Sequence, residues 1–150
     1  MKIRAVERRD RAEWARMRSE LYSNPDSREI DDWYAAASNG GTTVVGVAVL
    51  VADSGDGTLA GFVEIGSRPY GEGCETSPVA YLEGWYVDSE YRRQGLGTQL
   101  VEAAEEWARS EGFREMASDT ELDNEISLAA HTELGYEEVE RQICFRKSLR

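Results

Sequence analysis

The sequence predicts an α+β domain in which a mixed, mostly antiparallel central sheet carries about four helices. Three observations lead to this. Alternating or β-branched apolar runs occur at residues 2–6, 43–52, 58–66, 79–87, 115–118 and 137–147, and four other segments place apolar residues at helical spacing. Strands in the first half follow one another across turns, as in an antiparallel meander, whereas a helix separates the later strands, as in a crossover. The chain has 150 residues, 41% of them hydrophobic and 31% charged, so it suits one soluble core, and residues 1–150 read as a single domain.

Residues 2–6 alternate as a short strand. Residues 9–22 carry Trp14, Met17 and Leu21 on one helical face, and Asn24-Pro25 ends that helix. Asp26 or Ser27 can cap a second helix to residue 38, with Ile30, Trp33, Tyr34 and Ala37 on one face and Asn39-Gly40-Gly41 closing it. The nearly all-apolar run 43–52 predicts a central strand covered on both faces, joined by the turn 53–57 to a partner at 58–66. A loop at 67–78 holds two of the three prolines, Tyr70 and Cys74; a loop of this length in a compact domain is usually functional or mobile. The strand 79–87 then leads into a basic, glycine-rich turn. A helix opens at about Thr98 with Leu100, Val101, Ala104, Trp107 and Ala108 on one face. A strand at 115–118, a loop at 119–123, a helix at 124–134 and a last strand at 137–147 complete the order.

The turn Arg92-Arg93-Gln94-Gly95-Leu96-Gly97 has the composition of an anion site. A helix N-terminus exposes N–H groups without intrahelical partners and carries partial positive charge. Gly95 and Gly97 would admit a diphosphate to the backbone, and Arg92 and Arg93 add full charges. No Gly-Lys-Ser/Thr follows, which excludes a Walker A loop. The turn comes after four strands rather than in a first βαβ unit, which makes it a poor dinucleotide fingerprint.

Composition narrows the partners. Seventeen Lys and Arg against 29 Asp and Glu leave a net charge of −12, which argues against nucleic acid and anionic membranes and favours cationic ligands. Solubility or a salty habitat would account for the same acidity. The N-terminus is too charged for a signal peptide and no apolar run reaches membrane-spanning length, so a cytoplasmic address is expected. The two cysteines, Cys74 and Cys144, form neither a disulfide framework nor a metal knuckle; free thiols and no metal are expected.

Three carboxylates stand out. Glu83 interrupts an apolar strand, where an unpaired charge is costly; Asp119 follows the strand at 115–118; Glu140 lies on the last strand. Ligand sites in open sheets gather at strand ends, and three carboxylates meeting in one cleft would bind a polycation, orient its amine and take its proton. Each is equally readable as an ordinary strand-end or surface acid.

The pattern R-x-x-G-x-G (Arg92, Gly95, Gly97) between a strand and a helix resembles the acetyl-CoA pyrophosphate loop of the GNAT N-acetyltransferase superfamily, whose element order the whole chain also matches. Asn124 and the pair Gly135-Tyr136 stand where that superfamily has an Asn on the pantetheine arm and a Gly-aromatic pair. His131, the sole histidine, stands where many members have a tyrosine proposed to protonate the departing thiolate. An imidazole titrating near neutrality is able to donate that proton, though a solvated helix residue is the simpler role.

The segments SPVAYLEGWYV, REMASDTELDN and AHTELGYEEVERQICFRK are similar to the aminoglycoside 6'-N-acetyltransferases. That resemblance implies a GNAT fold and acetyl transfer from acetyl-CoA to an aminoglycoside 6'-amine by direct attack. It implies substrate contacts at Glu83, Asp119 and Glu140, with Tyr70 in addition. Tyr22 and Asn24 stand where relatives carry tryptophan or histidine. Backbone groups of Trp85, Tyr86 and Val87 would pair with pantetheine. Arg92, Arg93, Gln94, Gly95, Leu96, Gly97 and Thr98 would hold the pyrophosphate, and Asn124 would complete the cofactor site. Glu83 or Asp119 would deprotonate the amine, and a backbone N–H near Tyr86 or Val87 would hold the oxyanion. A homodimer is implied, with the last strand either shared between subunits or internal. The alternatives are a GNAT enzyme acting on a polyamine, another small amine or a protein N-terminus, and a non-catalytic module that binds CoA or a protein.

Overall fold

The structure, a computed structural model, describes residues 1–23, 27–38 and 47–150. They form two compact units, Met1–Ser118 and Asp119–Arg150. In the first, the elements are β1 (Lys2–Ala5), α1 (Arg11–Leu21), α2 (Ser27–Ser38), β2 (Ala48–Asp53), β3 (Leu59–Arg68), β4 (Val79–Val87), α3 (Leu96–Ser110) and β5 (Met116–Ser118). They build one sheet in the order β1-β2-β3-β4-β5. Its first three pairings are antiparallel and β4–β5 is parallel, as a helical crossover requires.

Alternation along β3 divides the core. Phe62 joins Trp14 and Met17 of α1, Ile30 of α2, and Val49, Val51 and Leu59 in one buried cluster. Burying a side chain of this size contributes about 1.5–3 kcal/mol. The next residue back, Gly61, points to the other face, where a Cβ would come within 3.0 Å of Leu100 Cδ1. That face is covered by the buried stripe Leu100, Val101, Ala104 and Ala108 of α3.

Several boundaries differ from expectation. A 3₁₀ turn at Arg8–Asp10 precedes α1, because the Asp10 carboxylate turns back to accept from the Glu7 N–H at 2.7 Å and from Arg4. β3 runs on to Arg68, since Ser67 and Arg68 pair with Ala80 and Val79. α3 opens at Leu96 rather than Thr98. The expected caps Asp26 and Asn39-Gly40-Gly41, and residues 43–46 of the expected second strand, lie outside the described residues.

In the second unit, α4 (Glu125–Glu133) is capped by Asn124, whose Oδ1 accepts from the Ser127 N–H at 3.0 Å. It ends with Gly135 at φ +91°. There Tyr136 N–H donates to His131 O and Gly135 N–H to Thr132 O, both at 3.0 Å, the paired bonds of a Schellman turn. The strand expected at residues 137–147 is not formed: residues 136–150 have neither helix nor strand. Val139, Ile143 and Phe145 of its apolar face are 56%, 73% and 91% exposed. A strand exists only against a neighbouring strand, and alternation by itself supplies none.

Candidate active site

The site begins with an irregularity in β4. The β3–β4 register passes from Glu64↔Gly84 to Ile65↔Leu82, so Glu83 is the extra residue of a bulge. Its carboxylate is not buried alone, as a charge in an apolar strand would suggest. It takes a two-armed ion pair from Arg68, with Nε to Oε1 at 2.8 Å and Nη2 to Oε2 at 2.6 Å. Arg68 also lies over the Tyr81 ring, its Cζ 3.5 Å from the centroid.

Beyond the bulge, β4 parts from β5. The parallel ladder covers only Ala80–Leu82, leaving residues 83–87 without a β5 partner among the described residues. Asp88 N–H donates to Ala60 O at 2.8 Å, on the β3 side. Antiparallel alternation then turns the Tyr86 backbone toward β3 and the Trp85 and Val87 N–H groups toward the open edge. Two of the three expected pantetheine partners therefore present their amides there. Tyr86 stacks instead in the α1-side layer, 6.0 Å from Phe62.

The turn into α3 has the open N–H groups its sequence suggested, though its two glycines differ in role. Gly95 caps the helix at φ +82°, a left-handed conformation that glycine adopts at little cost, and no atom lies within 4 Å of where its Cβ would be. The first helical bond is Gln99 N–H to Gly95 O at 3.0 Å, so the N–H groups of Leu96, Gly97 and Thr98 have no acceptor within the helix. Gly97 is engaged through its backbone: the Trp85 Nε1–H donates to Gly97 O at 3.1 Å, while a Cβ at residue 97 would stand at ordinary contact distance, 3.4 Å from Trp85 Cζ2. Trp85 thus ties the open edge of β4 to the helix mouth. Arg92 gives its Nε–H to Val87 O at 2.7 Å. Arg93, at φ +61°, shares the exposed turn, where Gln94 Nε2–H donates to Glu90 O at 3.1 Å.

Behind the bulge lies a buried ion pair that sequence reasoning missed. Glu64, 1% exposed on β3, is gripped by Arg18 of α1 and accepts from Trp14 Nε1–H at 3.4 Å. Arg18 reaches Glu29 of α2 as well. Burial pushes the Glu64 carboxyl above its usual range, against the pull of Arg18. The signal was present in AGFVEIG, an acid inside an apolar strand as in YLEGW. Tyr22 lies with its ring 4.8 Å from Arg18 Cζ, and its O–H donates to the Glu83 carbonyl at 3.3 Å. Gly84 leaves room for it, since a Cβ would meet that hydroxyl at 2.7 Å. Tyr22 and Glu83, two of the expected substrate contacts, are therefore brought together, Tyr22 through the backbone of Glu83.

Tyr70 is 64% exposed on the 69–78 loop, with its hydroxyl donating to Glu72 Oε2 at 3.1 Å. Asn24 lies outside the described residues. Asp119, Asn124, His131 and Glu140 belong to the second unit. The Asn124 side-chain oxygen is engaged in the cap, leaving its amide hydrogens. His131 Nδ1 lies 2.7 Å from Ser127 O; a carbonyl only accepts, so Nδ1 carries the hydrogen and the neutral ring has its lone pair at Nε2. Tyr136 packs edge-on against that ring at 5.7 Å. No cluster of potential metal ligands occurs among the described residues.

An open strand edge thus lies beside a glycine-capped helix mouth, and the family profile described as "Acetyltransferase (GNAT) family" matches residues 7–136. The chain belongs to the GNAT acetyltransferase family. An aminoglycoside N(6')-acetyltransferase type 1 from Klebsiella aerogenes is 46% identical over 147 residues, spanning 98% of this chain and 96% of that one. A crystal structure of an aminoglycoside 6'-N-acetyltransferase from Acinetobacter haemolyticus is 33% identical with a TM-score of 0.84, covering all of both chains. The structure of AAC(6')-Iy with a bisubstrate analogue, CoA-S-monomethyl-acetylneamine, is 35% identical with a TM-score of 0.82, covering 98% of this chain and 97% of that one.

Proposed function

We propose that this protein acetylates the 6'-amine of aminoglycosides, taking the acetyl group from acetyl-CoA by direct attack while both substrates are bound. The observation that carries this is the end-to-end identity of 46% with the Klebsiella aerogenes 6'-acetyltransferase. The likeness to a protein seen with CoA joined to an acetylated neamine supports the pairing of substrates. The whole chain acts as one acetyltransferase domain, and the family match runs through both compact units.

In this reading, pantetheine adds alongside β4 at the Trp85 and Val87 amides, with the Asn124 amide completing the arm. The pyrophosphate takes the free N–H groups of Leu96, Gly97 and Thr98 with Arg92 and Arg93 beside it. Tyr22, Asn24, Tyr70, Glu83, Asp119 and Glu140 contact the aminoglycoside, whose ammonium groups suit a chain of net charge −12. An amine attacks only when neutral, so Glu83 or Asp119 takes its proton, directly or through water. The N–H of Val87, which faces the open edge, stabilises the oxyanion as the C–N bond forms. The C–S bond then breaks, and the thiolate leaves unaided or takes a proton from Nε2 of a protonated His131. The enzyme works in the cytoplasm as a homodimer and uses neither nucleic acid nor membrane.

The test is incubation of the purified protein with acetyl-CoA and a kanamycin- or tobramycin-type substrate, with the acetyl group located by mass spectrometry. One acetyl group at the 6'-amine is expected, and Asp119→Ala should lower kcat by about 10²–10⁴-fold if Asp119 is the base. Poor turnover of every aminoglycoside beside efficient turnover of a polyamine would reject the drug as substrate. Absence of CoA release with any amine would reject catalysis.

A further inference from the structure

Arg68 closes β3, and its guanidinium has a built seat. The ring of Tyr81 lies beneath it at 3.5 Å, and both of its arms engage Glu83. Glu83 leans back across β3 to meet it because residue 66 is glycine: a Cβ there would stand 3.0 Å from Glu83 Oε1 and 3.2 Å from its Cγ. A planar cation is thus held on the carboxylate that, in the reading above, receives the substrate's amine.

We propose that Arg68 is a specificity-determining residue, an internal stand-in for the substrate cation that a polycationic substrate displaces from Glu83 and a monocationic amine displaces poorly. This rests on Glu83 contacting the aminoglycoside. A forked guanidinium takes one lone-pair direction on each carboxylate oxygen. An ammonium placed on the remaining directions would lie within a few ångströms of the Arg68 charge and be repelled by it. The carboxylate therefore acts at full strength only after exchange. Exchange carries a moderate cost, because the Arg68 side chain is 43% exposed and that of Glu83 23%, so water screens the pair only in part while its two-armed geometry strengthens it. The displaced guanidinium keeps its contact with Tyr81. A substrate with several ammonium groups offsets the cost at other carboxylates, whereas a monoamine has Glu83 alone.

The experiment is steady-state kinetics at saturating acetyl-CoA for Arg68→Gln and Arg68→Lys, each with and without Glu83→Gln. The probes are kanamycin and the monoamine 6-amino-6-deoxyglucose, the latter measured as a competitive inhibitor where it is not turned over. Arg68→Gln should lower the kanamycin KM about two- to fivefold, the range expected for one exposed charge pair, and change KM more than kcat. The monoamine constant should fall further. Arg68→Lys keeps the charge but loses the second arm and the plane stacked on Tyr81, so its kanamycin KM should fall between those of wild type and Arg68→Gln, and in the Glu83→Gln background Arg68→Gln should have no effect. Higher KM in both Arg68 variants would overturn the proposal, because the guanidinium would then be positioning Glu83. A fall that persists with Glu83→Gln would also overturn it, as a general charge effect. Unchanged kinetics in Glu83→Gln alone would remove Glu83 from the substrate site and the proposal with it. Arg68→Met, which keeps the stem over Tyr81, replaces Arg68→Gln if glutamine disturbs the fold.

Discussion

Tyr22 shows how one side chain joins the framework to the site. Its hydroxyl donates to the carbonyl of Glu83, and its ring packs on the arginine that neutralises Glu64. Burial pushes its phenol up to about 12, with the Glu64 and Glu83 charges adding and Arg18 opposing. A folded-state value above the ordinary 10 means that the folded protein holds the proton more tightly. The resulting stability is complete below pH 10 and is lost as pH rises from 10 toward 12. Denaturant midpoints measured across that interval should fall in the wild type and fall less in Tyr22→Phe, which has no phenol to ionise. Equal slopes would show that the hydroxyl is solvated in the folded state. At this scale Glu64 and Glu83 were indistinguishable in sequence, each an acid in an apolar strand. Folding gives one a buried guanidinium and a tryptophan N–H, and the other a half-exposed arginine beside an open edge.

The unit that acts as an element is β4 with the turn and helix that follow. The bulge at Glu83, the short ladder to β5 and the N-terminus of α3 bring the edge-facing backbone of Trp85 and Val87 and three N–H groups of a helix mouth into one segment. Gly95 is the joint. Because its Cβ would meet nothing, alanine there costs only the left-handed backbone, about 1–2 kcal/mol. Gly57, at φ +91° with equally open space, supplies the control. Both Gly95→Ala and Gly57→Ala should lower Tm by roughly 2–4 °C per kcal/mol, but only Gly95→Ala should raise the KM for acetyl-CoA. Equal KM values in the two variants would place the pyrophosphate elsewhere. The strand, turn and helix were legible in the sequence because apolar period and glycine placement are local signals. The roles of the two glycines were not separable, since the contact of Gly97 with Trp85 spans 12 residues and depends on how strand and helix pack.

For the whole molecule, the alternating segment after Tyr136 is where the proposed assembly can be tested. Its apolar residues Val139, Ile143 and Phe145 stay in water, which a stable chain tolerates poorly over a contiguous stretch. If the homodimer proposed above uses this segment, the full chain should sediment at twice the chain mass. A chain ending at Tyr136 should sediment as a monomer while keeping the far-UV circular dichroism of the sheet. A dimer that survives the truncation would move the interface to another surface.

Element order, the mixed sheet and the glycine-rich turn into α3 follow from hydrophobic period, β-branched runs and glycine spacing, which act between residues close along the chain and so can be read without coordinates. Partnerships do not. Arg68 meets Glu83 across 15 residues and Arg18 meets Glu64 across 46, and no local pattern encodes either meeting. The outward turn of the Trp85 and Val87 amides and the missing ladder at residues 137–147 likewise depend on which strands lie side by side. Backbone hydrogen bonds of a sheet are made between segments, so folding rather than sequence period sets which of them remain open for a ligand.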